Sequence, residues 1–250
     1  MSASRVFHLI FTLAACAVLG LGLSGCQDDP GFLEISPVLA GPYLGTMAPV
    51  DTSGSVRQDT IGTLAVIEAT VNTNGSVVFQ VTSIEGRFTA TGGIDADSQL
   101  NATGTLNGET IVFTGTWVGN QGGHASGTWR NAQTGDMSFW SITQQGVASS
   151  TFVTAYVGEF TLGTIGGDLS FAIQADGSIT GTAVGFGNSD VATLAGGINL
   201  NNLIVMTGSV NGEPVLFAGT LDTATRTVGL GTAATGLNSG IVGTWTAEVD

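Results

Sequence analysis

Two stretches of the chain, TGTLNGETIVFTGT (Thr103–Thr116) and TGSVNGEPVLFAGT (Thr207–Thr220), match at eight of fourteen positions without a gap, at an offset of 104. A repeat of this kind constrains the fold more than any other feature of the sequence. The same offset aligns Gly92–Ile94 with Gly196–Ile198. At an offset of 102, NGSV (Asn74–Val77) meets DGSI (Asp176–Ile179). YLG at Tyr43 meets YVG at Tyr156, and GTW at Gly127–Trp129 is matched to GTW at Gly243–Trp245. The order is kept and the spacing drifts only at loops. The chain is therefore a duplication of a unit of roughly 100 residues, too long for a solenoid repeat and of the size of a small domain.

Each unit reads as antiparallel sheet. Asn107-Gly108 and Asn211-Gly212 suit two-residue type I′ turns, whose central residues both need positive φ. The strand after the first turn alternates, with Ile111, Phe113, Gly115 and Trp117 on one face and Thr110, Thr114 and Thr116 on the other. Its counterpart puts Val215, Phe217, Gly219 and Leu221 inward. Val77, Phe79 and Val81 share a face, as do Leu169, Phe171 and Ile173, and as do Ile241, Gly243, Trp245, Ala247 and Val249. Period two with one apolar face marks antiparallel sheet over a core. Glycine, 39 of 250 residues, would cost about 1 kcal/mol at each helix-interior position, so no helix is expected after the N-terminal segment.

The expected fold is all-β: two tandem antiparallel meander-type units of about eight strands each, as small barrels or curled sheets. Eight short strands close naturally, and closure removes exposed edges. Inward Gly115 and Gly219 would relieve crowding. In strand spacing the units resemble small calycin or avidin-type barrels. The alternative is one continuous curled sheet built from both halves. A sixteen-strand membrane-spanning barrel shares the alternation. Against it stand the short segments and only two tyrosines, where two aromatic girdles are expected. The expected boundaries are 1–25 signal, 26–41 tether, 42–144 first unit, 145–151 linker and 152–250 second unit.

Charge excludes one class of partner. The chain has 5 basic and 19 acidic residues, for a net charge of −14. Such a surface repels phosphate backbones, so nucleic-acid binding is not expected.

Both cysteines, Cys16 and Cys26, fall in the first 26 residues. Arg5 is the only charged residue before Asp28, and the intervening apolar run ends in LSGC, Leu23–Cys26. A basic start, a short apolar run and small residues describe a secretory signal. LSGC resembles the lipobox of bacterial lipoproteins. That resemblance implies cleavage between Gly25 and Cys26 and a diacylglyceryl group on the Cys26 sulfur, often with a third chain on the new amino terminus. At ~0.8 kcal/mol per buried CH₂, one chain binds reversibly, whereas two or three hold firmly. The expected location is the cell envelope, with the membrane as partner through the lipid. Gln27 stands where enterobacterial lipoproteins carry the Asp of inner-membrane retention, which points to the outer membrane. The acidic pair Asp28-Asp29 resembles surface-export signals of some bacteria.

Chemistry is sparse. After the signal, His124 is the sole histidine, with Ser126 two residues on and no nucleophile elbow around them. Asp95 and Asp97 are the best carboxylate pair for calcium but lack an EF-hand's glycine and terminal Glu, and read as turn residues. Glu109 and Glu213 recur after the hairpin turns, which favours a structural role over an acid–base pair. No catalytic residue, metal ligand or cofactor is assigned. Trp129 and Trp245 recur and are expected in the core. Trp117, Phe139 and Trp140 are the candidates for stacking on a ligand such as a sugar. The expected function is that of a non-catalytic, lipid-anchored envelope protein, a structural or interaction module with an envelope protein or glycan as partner. The alternative is a binding protein for a small apolar ligand or a glycan. A carboxylate-based hydrolase ranks last.

Overall fold

A computed structural model describes residues 31–49, 65–120, 122–185, 190–236 and 241–250. The signal segment and Cys26 lie outside the described residues. The first eight strands are β1 (Gly41–Pro49), β2 (Ala65–Val71), β3 (Ser76–Ser83), β4 (Gly86–Ile94), β5 (Gln99–Leu106), β6 (Glu109–Val118), β7 (His124–Asn131) and β8 (Met137–Gln144). The next eight are β9 (Ala155–Leu162), β10 (Ile165–Ile173), β11 (Ser178–Val184), β12 (Val191–Ile198), β13 (Leu203–Val210), β14 (Glu213–Thr220), β15 (Val228–Thr235) and β16 (Ile241–Val249). Each set is an antiparallel meander closed into a barrel, by β1 pairing β8 in barrel 1 and β9 pairing β16 in barrel 2. Two separate barrels, not one curled sheet, are therefore the outcome of the duplication.

The turn chemistry is as the residue types require. Asn107 and Gly108 have φ of 52° and 85°, and Asn211 and Gly212 have 53° and 86°, so both pairs supply the positive φ of a type I′ turn. Elsewhere the pairs work differently. At Asn74 and Asp176 the side-chain Oδ1 accepts from the backbone N–H and the hydroxyl of Ser76 and Ser178, respectively.

Inward faces are filled with apolar side chains. Ile111, Phe113 and Trp117 are buried in barrel 1, and Val215, Phe217 and Leu221 in barrel 2. The inward glycines make room for indoles. A Cβ at Gly115 would lie 2.6 Å from Cζ2 of Trp140, and one at Gly219 would lie 2.9 Å from Cζ2 of Trp245. Trp140 is thus the counterpart of Trp245. Pairing agrees, since Met47 faces Trp140 as Phe160 faces Trp245. The GTW match is a false register: Gly127–Trp129 lies on the seventh strand of one barrel and Gly243–Trp245 on the eighth of the other.

One end of each barrel is sealed by the segment before its first strand. Residues 32–40, expected as part of the tether, run across barrel 1. The Leu33 N–H donates to Ile94 O at 2.7 Å, the Ile35 N–H donates to Thr73 O at 2.8 Å, and Ile35 is buried. The segment 145–151, expected as a linker, leads into a 3₁₀ turn, Ser150–Phe152, which buries Phe152. The Tyr43 hydroxyl donates to Leu39 O and that of Tyr156 to Phe152 O, each four residues back.

Phe32–Asp250 forms one compact unit. Leu44 and Val66 of barrel 1 pack against Val205, Leu216, Ala218 and Ala234 of barrel 2. These side chains lie on outer walls, so β13 and β14 are apolar on both faces. Each fully buried Leu or Val contributes roughly 1.5–3 kcal/mol. Asn199, itself buried, locks the junction. Its Nδ2 donates to Leu44 O at 3.1 Å, while its Oδ1 accepts from the N–H groups of Asn201 and Leu203. Asp95 makes the same turn in barrel 1 with the N–H groups of Asp97 and Gln99. A carboxylate at 199 would lack the donor that reaches Leu44, which accounts for the amide there.

Candidate functional site: the open mouth of barrel 1

The end of barrel 1 opposite its seal is a cup of about 140 Å³. Every strand contributes to it. Met47, Ala65, Val81 and Phe88 line one half, and Leu106, Ile111, Trp129 and Ser138 the other, with Ser83 and Glu85 at the β3–β4 turn. The lining is apolar because these are the inward positions at the far ends of alternating strands.

Barrel 2 solves the same position differently. Register places Phe160 where Met47 stands: Met47 faces Ala65 and Phe160 faces Gly167. A Cβ at Gly167 would lie 2.6 Å from Cζ of Phe160, so the ring occupies the space that Gly167 leaves. Its surroundings are small. The Val81–Phe88 pair of barrel 1 corresponds to Ala183–Ala192. Trp129, which faces Phe113, corresponds to Ala233, which faces Phe217. Barrel 2 is closed by one aromatic plug among small residues, with Phe160 at 2% exposure and Leu162 at 0%. Among the described residues, barrel 1 instead rings its mouth with bulky side chains around a space of about 140 Å³; residues 50–64, which join β1 to β2 at this end, lie outside the described residues.

Polar groups at the cup differ in how far they are committed. Ser83 Oγ donates to Gly86 O and accepts from the Glu85 N–H. Ser138 Oγ donates to Phe139 O at 3.4 Å. Glu109, just outside, accepts from Asn131 Nδ2. Trp129 Nε1 is buried and has no hydrogen-bond partner. Trp140 Nε1, deeper in the core, has none either, whereas Trp245 Nε1 donates to Ala218 O at 3.0 Å. Burial raises the Tyr43 phenol pKa well above its ordinary value at the sealed end.

The stacking candidates do not form one surface. Trp117 and Trp140 are 4% and 2% exposed and lie inside barrel 1. Trp117 packs edge-on to Tyr43 at 5.2 Å and Trp140 edge-on to Phe79 at 5.4 Å. Strand alternation is the reason: Phe139 precedes Trp140 on β8 and must point outward. Phe139 is 49% exposed beside a shallow groove lined by Thr46, Ser126, Thr128 and Ser141. Trp129, expected in the core, is half-buried at the mouth.

The remaining candidates sit apart. His124 is exposed at the start of β7, on the same outer face as Ser126. Asp95 is engaged in its turn, and Glu213 is exposed after Asn211-Gly212. Among the described residues no group of three or more His, Cys, Asp or Glu side chains is placed to hold a metal ion. No helix among the described residues is long and apolar enough to cross a membrane.

No protein-family model matches the sequence, and no curated protein is similar to it in sequence. Among solved structures, Aeromonas veronii immune modulator A is similar over 88% of this chain and 97% of its own, at 8% identity and a TM-score of 0.26. A likeness of that size establishes neither a shared fold nor a shared role.

Proposed function

We propose that the protein is a non-catalytic binding module held at a bacterial envelope by lipid on Cys26, with the mouth of barrel 1 as its ligand site. The observation that carries the reading is the contrast inside one chain: barrel 2 is plugged by Phe160 over Gly167, and barrel 1 keeps a cup of about 140 Å³ at the same place. A filled barrel serves as scaffold. A concave apolar cup with a few polar groups is the usual form of a small-molecule site. The lipobox-like LSGC supports the tether. The non-catalytic part rests on placement: His124 is on an outer wall, and Glu109 and Asp95 are engaged in local structure.

The test is thermal unfolding of the full chain in detergent with saturating toluene. A ligand that binds only the folded state stabilises it by RT ln(1 + [L]/Kd). The wild type should gain melting temperature, and Met47→Phe/Ala65→Gly, which grafts the barrel 2 plug, should not. Equal response of both proteins, or none in the wild type, contradicts the reading.

A further inference from the structure

We infer that the chain binds a second copy of itself head to tail, the β9–β10 wall of barrel 2 in one copy taking the β5–β7 wall of barrel 1 in the next; this rests on the fold and stands apart from the ligand reading.

The junction inside the chain supplies the geometry. It joins unlike faces of like units. Barrel 1 contributes the outer wall of β1 and β2 through Leu44 and Val66, and barrel 2 the outer wall of β13–β15 through Val205, Leu216, Ala218 and Ala234. Each barrel therefore also carries the counterpart of the face that the other one uses. A contact between unlike faces does not close on itself and can repeat. The two faces of a barrel are four strands apart in a closed ring of eight, so they stand on opposite walls and successive copies follow one another in a row.

Register identifies the counterparts. Leu44 faces Glu68 as Val157 faces Ser170, and Val66 faces Thr46 as Asp168 faces Glu159. On the other wall Val205 faces Ala218 as Asn101 faces Thr114, and Leu216 faces Ala234 as Val112 faces Arg130.

The replacements are complementary. Each counterpart face keeps one aliphatic side chain, Val157 on barrel 2 and Val112 on barrel 1. Each gains a charge, and the signs are opposite. Asp168 stands where barrel 1 has Val66, Arg130 stands where barrel 2 has Ala234, and both are exposed. Val66 and Ala234 belong to one apolar cluster, so docking in the same geometry brings Arg130 and Asp168 into one contact.

The neighbours of Asp168 add to the attraction. Glu159 faces Asp168, Glu248 faces Val157, and all four line one open groove. The chain has only 5 basic residues against a net charge of −14, and its copies otherwise repel. A guanidinium at the position that meets these carboxylates favours this docking over others. Asn101 and Thr114 replace Val205 and Ala218, so the contact between copies is more polar than the junction within the chain, as in a transient interface.

The experiment is sedimentation velocity of the full chain in density-matched detergent, at concentrations up to about 1 mM, where weak contacts are measurable. The wild type should form species that grow with concentration past the dimer, and roughly 0.5 M salt should weaken them. Arg130→Asp and Asp168→Arg should each weaken association at least about tenfold. Both positions are exposed, so the melting temperatures should stay close to that of the wild type. Mixed in equal amounts, the two variants should associate again. Arg130 of the Asp168→Arg chain and Asp168 of the Arg130→Asp chain then make the unaltered contact. A wild type that stays monomeric to about 1 mM overturns the inference and makes the two faces capped ends. A wild type that stops at a closed dimer overturns it, as does association that neither variant weakens or that the mixture does not restore.

Discussion

Phe171 and Gly181 face one another across β10 and β11, and a Cβ on residue 181 would lie 2.6 Å from the Cβ of Phe171. The matching pair of barrel 1, Ala69 and Phe79, carries its ring on the other strand. The two halves have exchanged an aromatic across one cross-strand pair while keeping one large and one small residue. Packing at near-crystalline density enforces such compensation. Gly181→Ala should destabilise by about 1–3 kcal/mol, and Phe171→Ala by about 3–5 kcal/mol. Phe171→Ala/Gly181→Phe, which rebuilds the barrel 1 arrangement, should lose at least about 1 kcal/mol less than its single variants combined. Urea unfolding of the wild type, Phe171→Ala, Gly181→Phe and the double variant measures the coupling.

Filling the mouth should stabilise the chain. At roughly 24 cal/mol per Å³, a void of about 140 Å³ bounds the gain near 3 kcal/mol. Met47→Phe/Ala65→Gly should recover about 1–3 kcal/mol of that, whereas Met47→Phe alone meets the Ala65 methyl and should gain less. Denaturant midpoints decide between the two.

Asn199 couples the barrels. Asn199→Ala removes the donor to Leu44 O and the acceptor for the Asn201 and Leu203 N–H groups. A loss of about 1–3 kcal/mol follows. Calorimetry should show one cooperative transition in the wild type, and a broader or split one in the variant as the barrels part.

Two carboxyl groups give opposite pH dependence. Burial pushes Glu68 above the usual carboxylate range, with Arg87 opposing in part. Its folded state therefore binds a proton more tightly than the unfolded chain does. The resulting stability is complete below the ordinary glutamate range and is lost as pH rises through the raised value. Glu68→Gln should melt higher than wild type near pH 7, the gap closing toward pH 4. Asp222 is held low by Thr225 and Ala224, which donate to its Oδ1. Its contribution is present above the ordinary aspartate range and fades as pH falls through the lowered value, so Asp222→Asn should flatten the acid limb. Melting temperature against pH for both variants checks the signs.

The tether has its own outcome. Native protein should partition into detergent, and its amino-terminal peptide should begin with a lipid-modified Cys26. Cys26→Ser should keep residues 1–25 and lose the lipid mass, as intact-mass spectrometry reports.

Much of the barrel plan was legible because alternation and turn chemistry are local. Ile111, Phe113 and Trp117 alternate inward, and Asn107-Gly108 demands a type I′ turn. The packing role of Gly115 and Gly219 was legible too, although not which indoles fill the space. Trp140 was hidden because its strand, MSFWSITQ, shares little with IVGTWTAEV, and the GTW motif on β7 offered a closer but false match. The burial of Ile35 was not legible, because it is a single buried position among mostly exposed neighbours and belongs to no alternating run. The junction left a signal that was not used: LIVMTGSV and EPVLFAGT are apolar on both faces, as strands covered on both sides are. The mouth depends on which of several inward positions holds the bulk. That appears only when Met47 and Trp129 are set against Phe160 and Ala233 in the correct register.

Xenon is the most direct probe of the difference between the two barrels, since it enters dry apolar cavities of this size. A crystal of the protein under xenon pressure should show one xenon in the cup bordered by Met47, Phe88 and Trp129, and none inside barrel 2 around Phe160. A cup without xenon, or equal occupancy in both barrels, would contradict the account.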